Sequence, residues 1–438
     1  MKMNITRLAC FCTIRSVRIV GGLIFLLFAD SLIAANPNYY SHIQPIIVKH
    51  CISCHKVGEN APFVFADYND VVKRIPTILK VVNENIMPPW PADTAYVKFH
   101  NQNVLSANEK MLLKKWASAG MPKGKKTTGK GTSLKPAARA DIQLNIAPAD
   151  SAGNTNNDIY TYGILDWYFK EPVYIKDYTF KIKTPYLHHA EILSVKIDSL
   201  VKPDSYGYIK TNNYEYKQVN IDKYLLGWFP GSSCGIFPVG TKMTLQPDEK
   251  FMVILHYVAT AQKFVDTSKL LIQTTTKGDG REVYEFPVHG TYKHLSATQQ
   301  GVFIPANTVQ TFHFTETVPY DMSVFGVYGH AHHLCKNMLA YAITPSGDTI
   351  RLLKINNWKF NWQLTYRFDK YRKIPQGSEI HFISTFDNTS DNPENQHNPP
   401  KDVYASFMAD DEMMELFLLH LKYQQNDEKK VIQYNDEQ

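Results

Sequence analysis

The sequence predicts a multidomain chain, a small all-α domain followed by two all-β sandwich (jelly-roll) domains, and three observations predict it. Helical periodicity is confined to residues 36 to 122. A Lys-, Gly- and Thr-rich stretch at 123–140, almost without large apolar side chains, reads as a linker. Beyond it, short alternating runs are punctuated by Gly, Pro, Asn and Asp, the texture of antiparallel sandwiches rather than of a parallel sheet. Length and composition agree. A chain of 438 residues exceeds one ordinary domain, 44% hydrophobic content supplies ample core, and 26 Tyr with 23 Phe favour the pleated surface of strands.

The elements follow in order. Lys2, Arg7, Arg15 and Arg18 precede the apolar run from Ile19 to Ala29, and Ala34-Ala35 offers a cleavage point. Residues 1–35 therefore read as a signal peptide, which makes the protein exported and periplasmic, or anchored to the membrane where the segment stays uncleaved. Tyr39 to His50 is a first helix, and Tyr68 to Asn85 a second, bent at Pro76. Ser106-Ala107-Asn108-Glu109 is a capping box that opens a third, with Leu112, Leu113, Trp116 and Ala117 as its apolar stripe and Gly120 as its stop. After the linker, runs at 178–183, 250–256 and 309–314 alternate as strands do. The two sandwiches take 141–286 and 287–428, with a boundary at Phe286-Pro287, and 429–438 is a polar tail. The net charge of +6 is scattered or confined to the linker, which leaves no clustered basic face for nucleic acid.

Cysteine usage points to chemistry. Of six, Cys10 and Cys12 fall in the signal, and Cys234 and Cys335 are too few for a disulfide scaffold. The remaining two stand in Cys51-Ile52-Ser53-Cys54-His55, the spacing of covalent c-type haem attachment, with His55 placed to offer imidazole to the iron. A redox dithiol or half of a zinc site is the alternative. Residues 36–122 are thus expected to be a cytochrome c-like haem domain. Met87, in Ile86-Met87-Pro88-Pro89-Trp90, is the preferred second ligand on thioether chemistry, with Met121 and His100 as rivals.

Four later segments carry candidate metal-binding residues: Tyr186-Leu187-His188-His189-Ala190-Glu191, Ile254-Leu255-His256-Tyr257, Gly329-His330-Ala331-His332-His333-Leu334, and Asp410-Asp411-Glu412-Met413-Met414-Glu415. On a strand, His330 and His332 point to one face and His333 to the other, so the first two can grip one ion. Adjacent His188 and His189 diverge unless the backbone bulges between them. Imidazoles alone suit zinc or copper; a thioether such as Met413 favours Cu(I). Spacing does not decide whether Met413 reaches His330 and His332.

Taken in this order, the four segments resemble the type II copper, ascorbate-dependent monooxygenases, the family of peptidylglycine α-hydroxylating and dopamine β-monooxygenases. The leading segment resembles haem domains fused to bacterial relatives. The resemblance covers roughly residues 155 to 425. It implies two β-sandwiches facing each other across a solvent-filled cleft, with one copper in each. His188, His189 and His256 match the electron-transfer copper, and His330, His332 and Met413 the catalytic, oxygen-activating one. It further implies hydroxylation of a small organic substrate by O2, with electrons from the haem and from ascorbate or a donor protein. Some positions depart from the family. Tyr328 replaces an Arg that holds a peptide carboxylate, Glu415 and Phe417 replace substrate-contacting Asn and Tyr, Ile254 replaces a Gln, and Cys335 a Gly. A peptidylglycine substrate is therefore disfavoured.

Other classes stand beside this one. A haem and copper redox relay without a substrate pocket keeps the same ligands. A blue-copper site would enlist Cys335, against its strand parity. A zinc hydrolase would need Glu191 or Glu412 as acid or base. Trp358-Lys359-Phe360-Asn361-Trp362 reads as core aromatics, and 387–393 as a turn-rich loop.

Overall fold

Strand dominates the structure, a computed structural model that describes residues 36–57, 61–126, 140–147, 151–156, 158–165, 169–196, 220–230, 237–289, 301–405 and 410–434. The expected signal peptide, most of the linker, and Cys10, Cys12 and Cys234 lie outside the described residues. No helix among the described residues is long and apolar enough to cross a membrane.

The helices fall where periodicity and caps place them. A π-helical turn, Tyr39–Ile43, runs into α1 (Gln44–His50); α2 (Tyr68–Asn83) starts on Asp67, whose carboxylate accepts from the amides of Asn69 and Asp70. In α3 (Ala107–Ser118) both arms of the capping box close: Glu109 Oε2 accepts from Ser106 N at 2.7 Å, and Ser106 Oγ accepts from Glu109 N at 3.2 Å.

The strands are β1 (Ile142–Asn145), β2 (Ser151–Thr155), β3 (Ile159–Ile164), β4 (Val173–Lys181), β5 (Leu187–Lys196), β6 (Asn220–Trp228), β7 (Thr241–Leu245), β8 (Glu249–Tyr257), β9 (Thr260–Val265), β10 (Lys269–Thr275), β11 (Arg281–Glu282), β12 (Tyr284–His289), β13 (Phe303–Ile304), β14 (Val309–Thr317), β15 (Met322–Ala331), β16 (Cys335–Ile343), β17 (Thr349–Ile355), β18 (Thr365–Ile374), β19 (Glu379–Asp387), β20 (Val403–Tyr404) and β21 (Met414–Lys422). They form sheets of order β1-β10-β4-β7-β11, β3-β8-β5-β6, β14-β19-β16-β17 and β12-β21-β15-β18, with two-stranded ribbons β2-β9 and β13-β20. Every pairing is antiparallel except β7 with β11.

The expected fold class, an all-α cytochrome c-like domain followed by two sandwich domains, does not hold. Strand outweighs three short α-helices, and from Pro37 onward the chain is one compact unit. The helical segment is not closed on itself. Its middle leaves the helices: Ala92 bridges to Ile355, the Asp93 amide donates to Lys354 O, and the His100 amide donates to Arg367 O. Ala92, Val97 and Phe99 are buried in the same core as β15, β16 and β18. Phe99 stacks on Phe368 at 5.3 Å, and Trp90 meets Tyr366 edge-on at 5.3 Å. Three short helices cannot cover that much apolar surface, and each large side chain gains about 1.5–3 kcal/mol on leaving water, so the β body takes them.

The β halves are not separate either. In the sheet β12-β21-β15-β18, one face (Val324, Val327, Leu416, Leu418) packs on the core shared with β16 and β19. Its other face (Phe325, Leu419, Leu421) enters the core of β4, β5, β8 and β10. β15 is buried at every position and β21 at all but its last, as strands covered on both faces must be. The expected boundary at Phe286-Pro287 falls inside β12, which tolerates Pro287 because it is an edge strand. The expected polar tail is docked as far as it is described. Ile432 is buried, its amide donates to Asp369 O, and the Tyr434 hydroxyl donates to the Phe325 and Phe368 carbonyls.

Candidate metal centre

β5 solves the problem of its adjacent histidines with a bulge. Leu187 pairs with Tyr257 and His189 with His256, so His188 is the extra residue and the register shifts there. Both rings thereby turn toward His256 on the neighbouring β8. The three Nδ1 atoms form a near-equilateral triangle: His188 to His189 3.3 Å, His188 to His256 3.2 Å, His189 to His256 3.3 Å. A point equidistant from three such nitrogens lies about 1.9 Å from each, close to the length of a metal–imidazole bond, about 2.0–2.1 Å. This group could hold a metal ion.

The triangle needs three bare nitrogens, and for His256 the surroundings fix that form. His256 Nε2 donates to Asp158 Oδ2 at 2.7 Å, which leaves its Nδ1 lone pair toward the other two rings. Asp158 is held by the Ala259 amide, and Tyr160 stacks on His256 at 4.3 Å. Burial and the neighbouring His256 push His188 down to about 4, and burial holds His189 well below the ordinary imidazole range. Neutral rings are the ones that ligate.

The second set is built from the central sheet. Tyr328, His330 and Ala331 pair with Phe417, Glu415 and Met414, so the next cross-strand neighbours are His332 and Met413. Glu412 ties that step together: its Oε2 accepts from the amides of His332 at 2.8 Å and Met413 at 3.1 Å, and its Oε1 from Leu334 at 2.6 Å. Those amides stabilise the charge, yet burial dominates and raises the Glu412 carboxyl to about 8. His330 Nδ1 lies 2.5 Å from Gln363 Oε1, whose own amide nitrogen donates to Phe360 O, so the ring is the donor. His332 Nδ1 donates to Asp411 O at 3.0 Å. Both rings thus keep Nε2 for a ligand, whereas the first set offers Nδ1. His330 and His332 stand at 5.2 Å between ring centroids, nearly perpendicular.

One aromatic ring touches both histidine sets. The Phe360 ring lies 5.8 Å from His256, 6.0 Å from His332 and 4.1 Å from His333. His189, His256, His330 and His332 are at most 8% exposed. In the stretch 358–362, Trp358 and Phe360 are buried aromatics, as expected, and they also touch the histidines: Trp358 Nε1 donates to His332 O at 3.0 Å. Tyr328, Phe229 and Phe417 form a small buried aromatic cluster beside these histidines, and the Tyr328 hydroxyl reaches Glu191 Oε1 at 3.3 Å.

At the haem motif, α1 ends on Cys51 and a tight turn follows, the His55 amide donating to Cys51 O at 3.0 Å. Cys51 and Cys54 are not joined in a disulfide; burial first, and then Cys54, pushes Cys51 up to about 12. His55 packs between Phe63 and Phe65, and its Nδ1 donates to Phe63 O at 3.0 Å, which again frees Nε2. Two thiols and an oriented imidazole fit covalent haem. Met87 lines a cavity of about 260 Å³ with Pro88, Trp90 and Leu105, and none of Cys51, Cys54 and His55 lines it. Its rival Met121 packs on the same apolar cluster as Cys51 and Phe63. His100 is turned away, bonded to Asp369 and packed on Tyr434.

Cys335 is buried in the apolar core, its thiol donating to Asn337 O, which removes it from the histidines as a blue-copper ligand. Glu412, with its oxygens taken by amides, is a bracket rather than a general base. Asp158 and Gln363 escaped the sequence reading because neither has a spacing that ties it to its histidine. They lie 98 residues before His256 and 33 after His330.

No protein-family model matches the chain, and no curated protein matches it. Among solved structures, the VP2 subviral particle of infectious bursal disease virus aligns at 10% identity over 70% of this chain and 78% of that one, with a TM-score of 0.18. Oxalate decarboxylase from Bacillus subtilis aligns at 6% identity over 66% and 79%, with a TM-score of 0.12. Similarity this slight carries no argument about fold or function.

Proposed function

We propose that the protein is a copper-dependent monooxygenase that hydroxylates a C–H bond of a small organic substrate. Overall, one atom of O2 enters the product as an alcohol and the other leaves as water, with two electrons and two protons consumed. One copper would be held by His188, His189 and His256, a second by His330, His332 and Met413, and a haem by Cys51, Cys54 and His55. Bound there, the metals would supply one-electron chemistry and oxygen activation, and the soft thioether of Met413 would favour the reduced ion.

The observation that carries this reading is the fixed tautomer of every bonded ligand ring. Asp158 holds His256, Gln363 holds His330, the Asp411 carbonyl holds His332, and the Phe63 carbonyl holds His55, each through the nitrogen that is not needed for ligation. The Phe360 ring packs against both histidine sets, 5.8 Å from His256 and 6.0 Å from His332. Glu412 keeps His332 and Met413 on adjacent strand ends. Copper with nitrogen and thioether ligands accounts for the second set better than zinc does, since no described carboxylate competes for it. The sequence resemblance supports the same assignment.

Metal and haem quantification with an oxygen-uptake assay tests it. The expected result is two copper ions and one haem per chain, with one copper lost in His256→Ala and the other in His330→Ala. Reductant-driven, substrate-dependent O2 consumption is then lost in both variants. Copper-free active protein, or uptake untouched by His330→Ala, overturns the proposal. The burial of the second set against Phe360 favours one other reading, a haem and copper relay with no substrate turnover. Copper loading without any substrate-dependent uptake would select it.

A further inference from the structure

The outer sheet carries a pair of histidines that the reading above does not use. His313 on β14 and His381 on β19 project from the solvent face of β14-β19-β16-β17, the face opposite the apolar core. In the register His313 sits opposite Ile383, so His381 is its diagonal neighbour. The His313 Nε2 and His381 Nδ1 atoms approach to 2.9 Å.

We infer that His313 and His381 form an exposed binding site for a divalent transition-metal ion of tetragonal preference, Cu(II) being the best match. Two nitrogens bound at about 2.05 Å and at right angles stand about 2.9 Å apart, whereas a tetrahedral pair stands about 3.3 Å apart. The observed separation fits cis positions of a tetragonal ion, with water completing the plane. The rest of the site is prepared for it. The Tyr341 ring stacks on His381 at 4.9 Å and 11°, which fixes the imidazole plane. The other ring nitrogen, His381 Nε2, is buried and has no hydrogen bond within the described residues; its nearest carboxylate is Glu379 Oε2 at 3.9 Å. At 3.9 Å the carboxylate makes no hydrogen bond to that nitrogen, but it is near enough to accept its proton after a small side-chain rotation, the arrangement that orients metal-bound histidines. In the metal-free protein one ring's N–H donates to the other ring; when the ion binds, that proton moves to the donor ring's second nitrogen, so both imidazoles stay neutral.

The site is independent of the buried histidine sets and is tested separately from them. Isothermal titration of the full chain with Cu(II) alone, compared between wild type, His313→Gln and His381→Gln, reads it directly. The expected result is one fewer copper equivalent in each variant. Accompanying it, electron paramagnetic resonance should show loss of a tetragonal signal split by two nitrogens. Glu379→Gln should weaken the same equivalent about tenfold without removing it. Because His313 is exposed, its variant is expected to fold as wild type, and unchanged far-UV circular dichroism is the check. Equal copper stoichiometry and spectra in wild type and both variants would overturn the inference and leave the 2.9 Å approach as a hydrogen bond. Loss of the buried coppers in His256→Ala or His330→Ala does not bear on this equivalent, so failure of either proposal is distinguishable from failure of the other.

Discussion

Replacing Asp158 by Asn probes the proposed three-histidine centre without touching a ligand. Asp158 Oδ2 accepts from His256 Nε2 at 2.7 Å, and Oδ1 accepts from the Ala259 amide at 2.9 Å. The proximity of His256 lowers the Asp158 carboxyl, as an acceptor for an imidazole proton should be. A hydrogen bond to a charged group contributes about 1.5–3 kcal/mol in a dry setting. Here the carboxylate side chain is 44% exposed, so solvent screening reduces that to about 1.4 kcal/mol, or about tenfold in an equilibrium constant. Asn preserves the shape and the Ala259 bond but removes the charge that holds His256 in its Nδ1-bare form. The expectation is a metal affinity about tenfold weaker at this site, with unchanged stoichiometry and unchanged affinity at the His330 site. Competition against a chelator of known affinity measures it. Affinity within twofold of wild type would refute the claim that Asp158 sets the tautomer.

Three further outcomes are expected. Metal-free protein should lose stability as pH falls from about 6.5 towards 4, because burial places His188 and His420 near 4 when folded while the unfolded chain protonates them near 6.5. The loss reaches about 3 kcal/mol for the fully buried His420 and less for part-exposed His188. Equal urea midpoints at pH 7.5 and 4.5 would contradict it. Phe360→Ala should cost about 3 kcal/mol through the cavity it leaves against the two histidine sets, read as a lowered urea midpoint with copper stoichiometry retained. Cys335 should resist thiol reagents until the protein unfolds, since burial holds its thiol well above the ordinary range; Cys335→Ala should leave copper binding unchanged, and a copper loss there would restore the cysteine as a ligand.

Local signals were legible from residue order alone. The helix starts near Tyr68 and at Ser106 and the shared strand face of His330 and His332 each rest on a handful of consecutive residues. Their geometry comes from backbone periodicity and side-chain reach, which no distant contact alters. What tertiary structure decided was everything that depends on a remote surface. The helical segment could not remain a domain because Trp90 and Phe99 find better cover on β18 than on three short helices. The two β halves could not separate because β15 and β21 are apolar on both faces and need a core on each. His188 and His189 converge only through a bulge set by pairing with β8, and the nitrogen that His256, His330 and His332 each leave bare is chosen by Asp158, Gln363 and a carbonyl at 411. Those partners act through space, and a linear sequence carries distance along the chain but not distance across it.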